Sequence, residues 1–138
     1  MPAVIRRATA VVLALGAAML IITVMEGVSG RLYPPPANLD LHDAEMMRGY
    51  VAGLPVAALL LVLAGYGAAA FTGGWLATRL AKTPALPPPI AVAAVSLGGS
   101  IMNLRAIPHP LWFSGANLLL VTVLPFVGAR LAREEPTG

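Results

Sequence analysis

The chain has 138 residues, of which 58% are hydrophobic and 11% charged, with a net charge of +3 and no cysteine. A charged fraction this far below the ~25% of soluble domains excludes an ordinary water-soluble globule. The lack of cysteine excludes disulfides, thiolate metal sites and cysteine nucleophiles, and basic residues spread over segment ends rather than gathered in one patch give no nucleic-acid surface.

The first apolar segment is Ala8–Val28, interrupted only by Glu26. About 20 helical residues cross a hydrocarbon core of ~30 Å. Lipid offers backbone groups no hydrogen-bonding partner, so such a segment must be helical. Arg6 and Arg7 in front of it imitate the basic start of a signal peptide, but the apolar core of such peptides is only about 7–15 residues long. Val28-Ser29-Gly30 is a poor cleavage site, so a retained span over about 8–28 is expected. Glu26 is the one carboxylate inside a span, and an ionisable group there is a functional candidate by default. Its position late in the segment predicts a place near the outer interface, in an ion pair with Arg31, Arg48, Arg105 or His109. Proton or substrate coupling is the sharper alternative.

After this span comes Tyr33-Pro34-Pro35-Pro36, then an acidic stretch with Asp40, Asp43 and Glu45. Carboxylates favour helix N-termini, where they accept from unpaired amides and meet the positive end of the dipole. A short helix over Leu39–Gly49 is therefore expected on the outer surface, running into the second span, with Glu45 and Arg48 close enough to pair. His42 among these carboxylates has metal-ligand chemistry without metal-site spacing, and capping explains the same residues, so no metal or other cofactor is expected.

Thirty uncharged residues, Gly49–Thr78, hold the second span, over about 50–76. Gly65, Ala69 and Gly73 repeat every fourth position, a small-residue face that lets helix backbones approach closely. Its partner is a helix of this bundle or of another chain. The third span is predicted over about 87–104, with Ser96 and Ser100 on one face, and the fourth over about 111–130, opened by Pro110. Pro55 and Pro125 are expected to kink their helices or to lie near helix ends. Tyr33, Tyr50, Trp75 and Trp112 fall near span ends, as interfacial aromatics do. Asn103, Arg105, His109 and Asn117 surround the turn between the last two spans. With Glu26 they would line an outward-facing polar vestibule if the helices face one another. Otherwise they form a hydrogen-bonded turn among water and lipid headgroups.

Orientation follows from lysine and arginine in short loops. Arg6, Arg7, Arg79, Lys82, Arg130 and Arg133 fall on one side, and Arg31, Arg48 and Arg105 on the other, which predicts both termini in the cytoplasm. Alanine, proline and arginine usage points to a bacterium and its inner membrane. Two boundary patterns recur. Arg31-Leu-Tyr-Pro34-Pro-Pro36 resembles Arg105-Ala-Ile-Pro108-His-Pro110, and Arg79-Leu-Ala-Lys82 resembles Arg130-Leu-Ala-Arg133. They fit two parallel two-helix repeats related by an axis along the membrane normal, or boundary chemistry shared by unrelated helices.

The glutamate closing the first span, the Tyr-Pro-Pro-Pro segment with its Asp-x-x-Asp-Ala-Glu stretch, and the Pro-x-Pro-x-Trp-Phe start of the last span resemble a family of small bacterial four-span membrane proteins. That resemblance implies the same topology and no activity, substrate or catalytic residue. The fold class expected is an all-α membrane protein, one four-helix unit over residues 1–138. No catalytic triad, metal motif or phosphate loop is present, so no enzyme is expected. The leading functional expectation is an accessory or interaction subunit, contacting lipid and other membrane-protein helices or a second copy of itself. The alternative is a small transporter or ligand carrier built around Glu26.

Overall fold

The computed structural model describes residues 1–136, and these form five α-helices without a strand. They are α1 (Ala3–Leu32), α2 (Ala44–Ala52), α3 (Val56–Ala81), α4 (Pro87–Ala106) and α5 (Leu111–Glu134). Helices α1, α3, α4 and α5 are each long and apolar enough to cross a membrane. They alternate in direction, so α3 and α5 run parallel. One end of the bundle carries both termini and the α3–α4 connection. The other, the loop end, carries α2 and the α4–α5 connection.

The expected outer helix exists but is shifted. Residues 37–42 form turns, and the helix begins only at Ala44, because Asp43 is its N-cap: one carboxylate oxygen accepts from the amides of Glu45 (2.9 Å) and Met46 (3.1 Å). Nor does it run into the second span. Gly53, Leu54 and Pro55 break the chain, and Pro55, which cannot donate a backbone hydrogen bond, caps α3. The second span is therefore Val56–Ala81 rather than about 50–76. Met47 and Val51 of α2 are buried, and Val51 joins Leu59, Leu63 and Phe113 in a cluster closing the loop end.

Small residues set how closely the spans approach. A Cβ added at Gly65 would meet Met25 of α1 at 2.7 Å, and one at Gly73 would meet Val92 of α4 at 3.0 Å. Ala10, Ala14 and Ala18, one turn apart, are the buried stripe of α1. Where α3 crosses α5, Gly74 lies against the backbone of Pro125, and Gly128 against the carbonyl of Phe71. Pro125 thus sits inside α5, at the crossing, where Gly74 leaves room for its backbone. Gly74 and Pro125 stand at the same distance before Arg79 and Arg130, the similar ends of their two helices.

At the terminal end, Ala14, Ala77 and Val92 pack α1, α3 and α4 into a second cluster. The last carbonyls of α3 lack intrahelical donors, and the Arg6 guanidinium supplies one, donating to the Ala81 carbonyl at 2.9 Å. Lys82 ends the helix in the left-handed region at φ 50°.

Candidate functional site

From Val92 towards the loop end, α1 and α4 diverge, leaving a crevice of about 390 Å³ between them. Its walls are Leu15 to Glu26 of α1 and Val95 to Asn103 of α4. Its floor is Tyr66, Ala69 and Ala70 of α3 with Val121 of α5. The half nearer the terminal end is apolar. The half nearer the loop end carries Thr23, Glu26, Tyr66, Ser100 and Asn103, with Ser96 between them.

Three of these form a directed chain. The Asn103 amide nitrogen donates to the Tyr66 hydroxyl (3.3 Å), and that hydroxyl donates to Glu26 Oε1 (3.3 Å). Both bonds are long, beyond the ~2.9–3.0 Å usual for N–H donors and the ~2.7–2.8 Å usual for hydroxyl donors. The bonds run towards the carboxylate and leave Glu26 Oε2 and Asn103 Oδ1 without a hydrogen-bond donor among the described residues, beside the second Asn103 N–H and the Ser96 and Ser100 hydroxyls. An amide and a carboxylate offering free oxygens into one crevice suit a group rich in N–H donors.

Glu26 has no basic partner among the described residues. Met25 packs on Gly65, which sets Glu26 beside Tyr66. Tyr66 is the eleventh of 26 residues in α3, about 15 Å along it at 1.5 Å per residue and about 4 Å short of its middle. Helix α1 runs on for six more residues to Leu32, about 9 Å at 1.5 Å per residue, so the carboxylate is late in α1 yet level with Tyr66 of α3. The expected ion pairs do not form. Arg48 pairs with Glu45 at 3.3 Å, and Arg31 and Arg105 are exposed in the last turns of α1 and α4. His109 stacks on Phe113, ring centroids 4.6 Å apart, and bonds the Ile107 carbonyl through Nδ1 at 2.7 Å. A carbonyl only accepts, so Nδ1 carries the proton. Partial burial lowers the His109 pKa below its ordinary value, with that hydrogen bond opposing.

Of the vestibule expected from sequence, Glu26 and Asn103 come together, while Arg31, Arg48, Arg105 and His109 stay outside the crevice. Asn117 is fully buried on α5, one turn from the floor residue Val121, and neither end of its amide has a partner among the described residues. Tyr66, Ser96 and Ser100 also belong to the site, although the sequence placed Ser96 and Ser100 only on a packing face. Their signal was a mid-span position, where polar groups are rare. Gly65 and Gly73 pack on α1 and α4 of the same chain, and Ala69 floors the crevice. No family model, curated protein or solved structure matches this chain.

Proposed function

We propose that this protein is a non-catalytic carrier or binding protein of the membrane, taking a lipophilic organic cation, a protonated amine or a guanidinium on an apolar body, into the crevice between α1 and α4. The carrying observation is the Glu26 carboxylate, set in the crevice against Tyr66 of a neighbouring span with no basic side chain against it among the described residues. An uncompensated charge there is costly, and a cationic ligand offsets it. Glu26 Oε2 and Asn103 Oδ1 accept from the head group, and Leu15, Ala18, Ile22 and Val95 receive the apolar body. The volume is within the ~300–1,000 Å³ of small-molecule sites, and the opening between two helices lets a guest arrive from the bilayer.

The proposal includes a bacterial inner membrane and cytoplasmic termini, supported by the arginine and lysine distribution and by the family resemblance. The accessory-subunit reading has less support, because the small-residue face of α3 is occupied by α1 and α4 of its own chain. Purification in native lipid discs, followed by mass spectrometry of everything retained, separates the two. A small organic cation near one per chain, absent from Glu26→Gln, is expected. A stoichiometric partner chain with no such molecule, equally retained by Glu26→Gln, would establish the accessory reading.

A further inference from the structure

A second recess, of about 550 Å³, lies at the terminal end, between the end of α3, the α3–α4 connection and the last turns of α5. It shares no residue with the crevice. Its cations are Arg79, Lys82 and Arg133. Arg79 is engaged: it lies over the Trp75 ring at 5.7 Å, and its Nη1 is 3.4 Å from the carbonyl and 3.7 Å from the carboxylate of Glu135. That pair leaves Lys82 and Arg133 uncompensated, with no carboxylate within ion-pair distance among the described residues. The recess wall also holds Thr78, buried to 4% exposure, whose hydroxyl has no hydrogen-bond partner among the described residues. A helical threonine usually bonds a carbonyl one turn back, as Thr23 and Thr122 do here. Thr78 instead keeps its donor free beside two free cations. Pro84, which lines the recess from the α3–α4 connection, carries no amide hydrogen.

We infer that this recess binds a phosphate group, held by Lys82 and Arg133 and by a hydrogen bond from Thr78. Phosphate matches the donor set: its oxygens accept several bonds at once, and its charge neutralises the two free cations. At a span end the chemistry has two sources, the phosphodiester of an anionic lipid or a free phosphate ion, since basic pockets between membrane helices hold lipid head groups. The Glu135 carboxylate at the rim stays on Arg79.

Native mass spectrometry and thermal unfolding of the purified full chain in neutral detergent test this, with phosphatidylglycerol, phosphatidylcholine and inorganic phosphate as separate additions. Retention of phosphatidylglycerol over phosphatidylcholine, falling about fivefold for Lys82→Asn and again for Arg133→Gln, assigns the site to a lipid head group. Asparagine tolerates the left-handed conformation of residue 82, so that variant tests charge rather than folding. Stabilisation by inorganic phosphate with no lipid preference, lost in the same variants, assigns it to a free ion. Arg31→Gln with Arg105→Gln removes two charges at the opposite end, more than either single variant, and is expected to change neither result. No response to either phosphate, or an equal loss in that control, overturns the inference.

Discussion

Asn117 shows how a residue departs from the rule that buried polar groups are satisfied. It is fully buried on α5, with neither amide nitrogen nor oxygen bonded among the described residues. Leaving such a group unpaired costs about 1–3 kcal/mol, and a near-isosteric apolar replacement removes that cost. Asn117→Leu is therefore expected to stabilise the protein in detergent by about 1–2 kcal/mol, read from thermal unfolding. A loss of stability would mean that the amide has a bound partner, such as an ordered water. His109 titrates in the opposite sense to a salt-bridged histidine. Its lowered pKa means that the fold favours the neutral ring. Both folded and unfolded chains are neutral above the ordinary pKa of ~6.5, so this group costs nothing there. Below it the unfolded state takes up a proton first, and stability falls with pH until the folded-state pKa is passed. His109→Gln should flatten that decline in unfolding measured between pH 7 and pH 5, and an unchanged slope would exclude His109 as its source.

Among elements, the spans were legible because length and hydropathy alone decide what can cross lipid. Their limits were not. Asp43 rather than Asp40 caps α2, a choice made by which carboxylate reaches two amides, and Pro55 marks a break that an uninterrupted apolar run conceals. The partner of the small-residue face was likewise left open by sequence, since spacing names a close approach without naming what approaches. Packing resolves it: Gly65 meets Met25, and Gly74 meets Pro125. This makes the glycines unequal. Gly74→Ala drives a methyl into the backbone of α5, and overpacking of this kind costs about 3 kcal/mol. Gly16→Ala meets nothing within 4 Å and should be neutral or slightly stabilising. Equal thermal stability for the two variants would contradict the close α3–α5 crossing.

For the whole molecule, the arrangement is a bundle tight where α3 crosses α5 and open between α1 and α4. The alanine stripe of α1 and Val92 hold the terminal half together. The loop half is spread around polar groups that no basic side chain neutralises. Sequence reasoning found Glu26 and Asn103 but not that Tyr66 joins them, because a contact between residues 40 apart along the chain depends on helix register. It also assigned Glu26 to basic residues that lie at the loop end, the arginines exposed and His109 stacked on Phe113. The account therefore rests on the carboxylate being the anchor of a cationic guest. The most direct measurement is equilibrium binding of tetraphenylphosphonium, a lipophilic cation without N–H donors, and of a lipophilic guanidinium, to the protein in lipid nanodiscs. Saturable one-to-one binding is predicted for both, tighter for the guanidinium, and weakened at least about tenfold by Glu26→Gln, as expected when a charge-assisted contact of ~1.5–3 kcal/mol is lost. Equal affinities for wild type and Glu26→Gln, or no saturable binding of either cation, would contradict it.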